Sequence, residues 1–429
     1  MIPIIIADGK KEKDFLKKIE IRMNQTDENI TKSVTSIIED IKINKDKALK
    51  KYTEKFDKIT LENFELSKEK IKEAYESCDD NIISILKNAS ENIKKFHQRQ
   101  KQNSWLETSS DGTILGQRVR GLNKVGIYVP GGTAAYPSSV LMNAIPAKIA
   151  EVNEIIMVTP PQKDGKINPA IAAAAYISGV DRVFLVGGAQ AVAALAYGTE
   201  SVPKVDKIVG PGNIFVATAK KLVYGIVDID MIAGPSEILI MADDTAKENF
   251  LAADLMSQAE HDELASSILL CNSIELAEKV KKELETQVEE LLRKDIIMKS
   301  LKNYGAIIVC DSINKMCDFA NLLAPEHLEV CLENPLEYIG KLDNAGSVFL
   351  GNYSPEPLGD YYAGPNHVLP TNGTARFFSP LSVDSFIKKS SFIYYNKPAL
   401  KNSYKEIIDF ANNEGLDAHA NSIKIRFND

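Results

Sequence analysis

The stretch Lys124-Val-Gly-Ile-Tyr-Val-Pro-Gly-Gly132 opens the part of the chain that decides its fold. From here on, short apolar runs alternate with alanine-rich segments that have the length and composition of helices. Strands that alternate with helices form a parallel sheet covered by helices on both faces, so the sequence predicts an α/β fold. The apolar runs are residues 125–129, 155–158, 183–186 and 207–209, and the helical segments lie near 138–150, 168–178, 189–197 and 213–224.

Glycine and proline turns follow three of these apolar runs. They read Tyr128-Val-Pro-Gly-Gly132, Val186-Gly-Gly-Ala-Gln190 and Val209-Gly-Pro-Gly-Asn213. Ligands of open α/β sheets bind outside the carboxyl ends of the strands, so these three loops predict a ligand crevice. Neither GxGxxG nor GxxxxGK[ST] occurs in the chain, so the turns alone do not identify the ligand as a nucleotide.

A second set of apolar runs indicates a second α/β unit. We expect two Rossmann-like open parallel-sheet domains, residues 121–235 and 236–380. Residues 1–120 have helical periodicity and are expected to form a helical region that packs on the second α/β domain. Residues 381–429 form a tail that is too small to bury its own core, so it must lie on its own chain or on a partner. The second set of runs comprises residues 238–241, 268–271, 306–310, 328–331 and 347–350.

The composition is that of an ordinary globular protein, with 429 residues, 44% of them apolar and 26% charged. The net charge of −8 argues against a nucleic-acid partner, because a surface that follows a phosphate backbone needs a basic excess. No apolar run is long enough to span a membrane. The five cysteines have no CxxC spacing and predict reduced core residues of a cytoplasmic protein.

Gln258-Ala-Glu-His261 is a candidate half of a metal site. Side chains three apart on a helix share a face, so the amide oxygen of Gln258 and the imidazole of His261 can converge. Imidazole together with oxygen ligands suits zinc or a neighbouring divalent ion. Further candidate ligands, Asp360, His367 and His419, stand in polar segments rich in glycine and proline. An exposed helix end has the same spacing, so the motif alone leaves both interpretations open.

Glu326-His327 is a candidate acid/base pair. It follows Leu322-Leu-Ala-Pro325, and proline disfavours helix at the residue before it, so a helix should end here and present both side chains from a loop. Histidine is the usual proton carrier near neutral pH. Residues 354–367 form a long segment that contains Asp360 and His367, and loops of this length are usually functional. Glu-His pairs and loop acids are also common on surfaces, so catalysis does not follow from these residues alone.

Taken together, these segments resemble the histidinol dehydrogenases, a family of zinc enzymes. The most specific stretch is Ile229-Asp-Met-Ile-Ala-Gly-Pro-Ser-Glu-Ile-Leu-Ile-Met-Ala-Asp243, followed by Leu255-Met-Ser-Gln-Ala-Glu-His261. The resemblance extends from about Gly121 to His419. Supporting motifs are Gly126-Ile-Tyr-Val-Pro-Gly-Gly132, Gly210-Pro-Gly-Asn213, Ala324-Pro-Glu-His-Leu328 and Asn366-His-Val-Leu-Pro-Thr371.

The resemblance implies specific roles for individual residues. The zinc ligands would be Gln258, His261, Asp360 and His419, and the acid/base pair would be Glu326 and His327. Ser236 and Glu414 would contact the substrate together with the ligands and His327. An NAD site would be lined by Tyr128, Gln190 and Asn213. No direct role is implied for His97 or His367.

The family reaction is the NAD-dependent, four-electron oxidation of L-histidinol to L-histidine through a bound aldehyde, the last step of histidine biosynthesis. The resemblance also implies a homodimer in which the tail brings Glu414 and His419 to the partner's site. Two alternatives remain from the residues alone. One is a zinc hydrolase of an amide or ester in which Glu326 activates water, and the other is a metal-stapled scaffold without turnover.

Overall fold

The computed structural model describes residues 2–23, 28–131 and 135–427. Gly132, the last residue of the first glycine turn, lies outside the described residues. The strands of the described part are β1 (Ile4–Ile6), β2 (Glu65–Leu66), β3 (Trp105–Thr108), β4 (Ile114–Gly121), β5 (Lys124–Tyr128), β6 (Glu154–Thr159), β7 (Arg182–Leu185), β8 (Lys207–Val209), β9 (Asp228–Ile229), β10 (Glu237–Ala242), β11 (Ser266–Cys271), β12 (Ala306–Val309), β13 (His327–Cys331), β14 (Ser347–Leu350) and β15 (Ile387–Tyr394).

The α-helices connect and cover these strands. Several 3₁₀ turns lie between them. The helices are α1 (Lys11–Met23), α2 (Glu28–Asp57), α3 (Lys68–Glu76), α4 (Asp80–His97), α5 (Pro137–Ile149), α6 (Pro169–Ser178), α7 (Gly188–Tyr197), α8 (Ile214–Val223), α9 (Glu248–Ala259), α10 (Ile274–Gln287), α11 (Lys294–Tyr304), α12 (Ile313–Leu323), α13 (Glu356–Tyr361), α14 (Lys397–Asn413) and α15 (Asp417–Lys424).

Two six-stranded sheets contain the predicted apolar runs. The first sheet has the strand order β2-β7-β6-β5-β8-β9 and is parallel except for β2, which pairs antiparallel with β7. The second sheet has the order β1-β12-β11-β10-β13-β14 and is parallel throughout. The prediction of an α/β fold with two open parallel sheets is therefore confirmed.

The second sheet has a core on each face, which explains why its strands are mostly apolar. Strand β10 is buried at every position. Its residues Ile238 and Ile240 pack against helices α9, α10 and α11, while Leu239 and Met241 pack against α1 and α12 on the opposite face. Because successive strand residues point to opposite faces, a strand covered on both sides has no position that favours a polar residue.

The N-terminal helices pack on a different sheet from the one that we expected. Helices α2, α3 and α4 contact α5 to α8 of the first sheet, and Val34, Ile41 and Leu49 of α2 share a core with Phe184 of β7. The interpretation that the whole N-terminal region packs on the second α/β domain is wrong for these helices, and β1 and α1 are the parts of that region that lie there. The amphipathic pattern predicted a buried face but could not identify the surface that buries it.

The chain divides into two compact units. The first contains residues 2–100 and 122–386 and holds both six-stranded sheets. The second contains residues 101–121 and 387–427, in which β15 pairs antiparallel with β4, and β4 with β3. The predicted C-terminal tail thus pairs with an earlier hairpin of its own chain, which the sequence analysis did not foresee. No helix of the described residues is long and apolar enough to cross a membrane.

Candidate active site

The Glu326–His327 pair lies where the chain passes from helix α12 into the second sheet. The helix ends at Leu323, shortly before Pro325, as the proline predicts. Ala324, between them, has a left-handed conformation with φ of 51°. His327 is then the first residue of β13 rather than a loop residue. Its neighbour in β10 is Ile238, which follows Glu237 at the amino end of that strand. His327 is therefore held by a central strand, whereas Glu326 lies in the bend directly before it.

The imidazole of His327 is buried and fixed in orientation. Its Nδ1 lies 3.0 Å from the backbone carbonyl oxygen of Glu237, which can only accept, so Nδ1 carries the hydrogen. Nε2 is then an unprotonated acceptor, and it has no hydrogen-bond partner among the described residues. Burial lowers the pKa of His327 to about 4, although the charge of Asp360 opposes this shift. At neutral pH, Nε2 is therefore a free base that points into the site.

The backbone of Glu237 also orients the carboxylate of Glu326. Its Oε2 accepts a hydrogen bond of 2.9 Å from the backbone N–H of Glu237, and it lies 3.7 Å from Nδ1 of His327. The side chain is 11% exposed, so water has limited access to it. Glu237 thus presents its N–H to one member of the pair and its carbonyl to the other.

The segment of residues 354–367, which we expected to be a loop, contains the short helix α13. Its first residue is Glu356, which the sequence analysis missed, and Asp360 follows one turn later. Donor atoms of His327, Glu356 and Asp360 lie within 4.8 Å of one another. Burial, together with the charge of Asp360, raises the pKa of Glu356 to about 10, so this carboxyl group is neutral when no cation is near.

Gln258 and His261 lie at the end of helix α9. Gln258 is in the last turn and is 1% exposed, and its Oε1 has no hydrogen-bond partner in the described part of the chain. His261 follows the helix by two residues and is exposed, yet its charge lowers the pKa of both His327 and His367. A buried amide oxygen without a partner, an imidazole and a carboxylate are the types of donor that a divalent cation such as zinc accepts.

Ser236 and His367 border the same group of residues. Ser236 precedes β10 directly, and its carbonyl oxygen accepts a hydrogen bond from the N–H of Ser266. Nδ1 of His367 lies 3.7 Å from a carboxylate oxygen of Asp360. His97 is buried elsewhere, with Nδ1 at 2.7 Å from Oε1 of Gln100 and Nε2 at 3.5 Å from the amide of Asn366. His367 therefore lies in the site, whereas His97 supports the segment next to it.

The candidate site is at the amino ends of the strands in the second sheet. Ser236, His327 and Ser347 stand at the starts of the neighbouring strands β10, β13 and β14. Helix α9 runs back from the carboxyl end of β10 to the start of β11, so its last turn, with Gln258, arrives at the same edge. For the first sheet we expected a ligand at the carboxyl ends of the strands, so the candidate site of the second sheet lies at the opposite end.

The three glycine turns of the first sheet do come together. The hydroxyl of Tyr128 accepts a hydrogen bond of 3.0 Å from the N–H of Gly188. A Cβ at Gly210 would lie 2.1 Å from the carbonyl oxygen of Tyr128, so the third turn can approach the first only with glycine there. Tyr128 and Gln190 are buried, whereas Asn213 is exposed and caps helix α8 through hydrogen bonds from the N–H groups of residues 215 and 216.

The two regions are connected inside the first unit. The side-chain amide of Asn366 donates a 2.6 Å hydrogen bond to the carbonyl of Met142, which lies on the helix that follows the first glycine turn. Burial raises the pKa of Tyr361, and the nearby Tyr136 makes a small contribution to this rise. In the second unit, Glu414 directly follows α14 and His419 lies on α15, and both side chains are exposed.

Comparison with known proteins identifies the family of this chain. The histidinol dehydrogenase family profile matches residues 20–427. Histidinol dehydrogenase of Clostridium acetobutylicum is 59% identical over 99% of this chain and 98% of its own length, and that of Bacillus cereus is 53% identical over 99% of both. A crystal structure of the enzyme from Elizabethkingia anophelis matches with a TM-score of 0.93 and 42% identity, over 99% of this chain and 98% of that chain. The chain belongs to the histidinol dehydrogenase family.

Proposed function

We propose that this protein oxidises L-histidinol to L-histidine with NAD, through a bound aldehyde, and that zinc is required. The observation that carries the proposal is the buried, unpartnered Nε2 of His327. This residue directly follows Glu326, and a donor atom of its ring lies within 4.8 Å of donor atoms of Glu356 and of the candidate zinc ligand Asp360. Membership in an oxidoreductase family sets aside the two alternatives of a zinc hydrolase and a scaffold without turnover.

The zinc ion would be held by Gln258, His261 and Asp360, with His419 as a fourth ligand from the tail. When bound, zinc would supply Lewis acidity and a fixed point for the imidazole and amine nitrogens of the substrate. The unpartnered oxygen of Gln258 supports this assignment, since a buried amide oxygen without a donor is otherwise costly. Ser236 and Glu414 would contribute further substrate contacts.

His327 would act as the base in the first oxidation. Its Nε2 takes the proton of the substrate hydroxyl, while the hydrogen on the same carbon leaves with its electron pair for the nicotinamide ring of NAD. The product is the aldehyde, and the proton then leaves to solvent. The lowered pKa of His327 supports this role, because the ring must be neutral to accept the proton.

Glu326 would act in the second oxidation. Its carboxylate takes a proton from a water molecule as the water oxygen adds to the aldehyde carbon. The resulting hydrate anion then passes a hydride to a second NAD and its hydroxyl proton to His327, which leaves the carboxylate of histidine. Both NAD molecules would bind in turn at the glycine turns, where Tyr128, Gln190 and Asn213 lie.

A homodimer would complete each site. The second unit buries small residues such as Ala399, Ala411 and Ala420 but exposes many large apolar side chains, as a surface covered by another copy would. We propose that the tail reaches the partner's site, and that the protein works in the cytoplasm, where its free cysteines stay reduced. The large exposed apolar residues of the second unit include Trp105, Leu106, Phe392, Ile393, Tyr394 and Phe410.

Incubation of the purified protein with histidinol and NAD tests the proposal, with NADH absorbance as the readout. Activity should disappear when zinc is removed with a chelator and return when zinc is added. A protein that is loaded with zinc, is folded, and forms no NADH from histidinol would contradict the proposed function.

A further inference from the structure

Three elements that hold the candidate zinc and acid/base residues meet at one buried acid, Glu329. This residue lies on β13 two positions after His327, and it is 1% exposed. Its Oε1 accepts a 2.7 Å hydrogen bond from the backbone N–H of Glu356. Glu356 is the first residue of α13, the helix that carries Asp360, so Glu329 anchors the start of that helix to the strand.

The side chain of Glu329 also approaches helix α9. The carboxyl groups of Glu329 and Asp254 are within hydrogen-bonding reach of each other, and no N–H or hydroxyl of the described residues donates to Oε2 of Glu329. Two carboxyl groups form a hydrogen bond only when one is protonated. Burial raises the pKa of Glu329 well above its ordinary value and that of Asp254 to about 6. The two carboxyl groups therefore share a proton in the folded protein.

Asp254 and Gln258 are four residues apart on α9 and therefore lie on the same face of that helix. We infer that Glu329 is a positioning residue, which holds α9 and α13 against β13 and so sets the separation of Gln258, Asp360 and His327. Two longer contacts join the same parts: Oγ of Ser257 is 3.5 Å from Oε2 of Glu356, and the rings of Phe250 and Tyr353 are 6.2 Å apart.

The inference rests on the proposed function for its catalytic consequence, since Glu329 itself touches neither substrate nor cofactor. Replacing a residue that orients a metal ligand typically lowers metal affinity or activity about 10- to 100-fold. The loss arises because a ligand that is displaced by a fraction of an ångström no longer fits the geometry of the ion.

Paired substitutions separate positioning from simple packing. In Glu329→Gln the amide oxygen still accepts from Glu356 and the amide nitrogen still donates to Asp254, whereas Glu329→Leu keeps the bulk and loses both hydrogen bonds. The zinc dissociation constant of the full-length protein would be measured by chelator competition, well below the melting temperature of each variant. We expect Glu329→Leu to bind zinc about 10- to 100-fold more weakly, and Glu329→Gln to stay close to the wild type.

Ser300→Ala is the matched control. Ser300 is also buried beside the second sheet, and its hydroxyl donates a 2.9 Å hydrogen bond to the carbonyl of Ala265, so this bond involves neither Asp254 nor helix α13. It should lower the melting temperature and leave zinc affinity unchanged. Wild-type zinc affinity in Glu329→Leu, or equal losses in the Gln and Leu variants, would overturn the inference.

Asp254 provides a second test in case Glu329→Leu fails to fold, because Asp254 is only partly buried. Asp254→Asn retains an oxygen that accepts from Glu329, whereas Asp254→Ala does not. The inference requires weaker zinc binding in Asp254→Ala than in Asp254→Asn, and equal binding in the two would contradict it.

Hydrogen exchange in the zinc-free protein tests the positioning role of Glu329 independently of the proposed function. Amides of residues 356–361 should exchange faster in Glu329→Leu, or in Asp254→Ala if that variant is used, and at the wild-type rate in Ser300→Ala. Unchanged exchange in the Glu329 and Asp254 variants would overturn the positioning role even if the enzyme oxidises histidinol. If the wild type neither binds zinc nor forms NADH, the proposed function fails, whatever the exchange result.

Discussion

The imidazole Nδ1 of His327 lies 3.0 Å from the backbone carbonyl oxygen of Glu237, and this one hydrogen bond determines which ring nitrogen can act as a base. Because a carbonyl only accepts, the hydrogen must be on Nδ1, and Nε2 is left as the acceptor. The N–H of the same residue binds Glu326. One residue at the start of β10 therefore orients both candidate catalytic groups.

Replacing His327 with asparagine should remove the base and preserve its anchor. The asparagine amide can still donate to the carbonyl of Glu237, so the start of β13 should keep its conformation. We expect the rate of NADH formation to fall about 10²- to 10⁴-fold, the usual contribution of a general base. Zinc content and histidinol affinity, measured by calorimetry, should remain near the wild-type values. Loss of zinc along with activity would instead indicate that His327 supports the metal site.

Gly359 allows an aromatic ring to pack against the helix that carries Asp360. A Cβ at this position would lie 2.6 Å from Cε1 of Phe349, so Gly359→Ala should displace either the ring or the helix. We expect weaker zinc binding and slower turnover, measured on the same preparation. Gly340→Ala is the control, since a Cβ there meets nothing within 4 Å. Equal behaviour of the two variants would mean that Phe349 can move without affecting Asp360.

Asp57 at the end of α2 should make stability depend on pH. Its Oδ2 has no hydrogen-bond partner among the described residues, and burial raises its pKa from 3.8 to about 6. The folded state then binds the proton more tightly than the unfolded state, so this contribution to stability is present below the ordinary pKa and is lost as pH rises through about 6. Asp57→Asn should therefore raise the melting temperature more at about pH 8 than at about pH 4. The exposed acid Asp343 serves as control, and a shift independent of pH would contradict the prediction.

Mixing two inactive variants tests whether the tail acts in the partner's site. A dimer with one His419→Asn subunit and one His327→Asn subunit contains one site with both changes and one site with neither. After random subunit exchange, about a quarter of full activity should return, provided that the two sites act independently. Continued inactivity after verified exchange would mean that Glu414 and His419 serve their own chain.

The parallel strands could be predicted from the sequence because burial on both faces favours apolar residues at most positions. Strands β10 and β11 stand out as apolar runs for this reason. By contrast, the four residues of β3 are all exposed, and no apolar run or alternation marks this strand. Its pairing with β4 depends on backbone hydrogen bonds between segments that composition does not distinguish from loop. The second unit was missed for that reason.

The candidate site was predictable only in part. Gln258 and His261 were linked by helical spacing, and Glu326 and His327 by their position after a proline. Glu356 had no such signal, because an acid in the first turn of a helix usually stabilises the exposed helix N-terminus. Its burial beneath β13 follows from tertiary packing, as does the position of the site at the amino ends of the strands.

The number of NADH molecules formed for each histidinol consumed tests the central claim most directly. The measurement would be made under single-turnover conditions with excess NAD, with a nucleophile present that traps free aldehyde. Two hydride transfers at one closed site predict two NADH per histidinol, histidine as the product and no trapped aldehyde. One NADH per histidinol with trapped aldehyde, or no NADH from the zinc-loaded protein, would contradict the account.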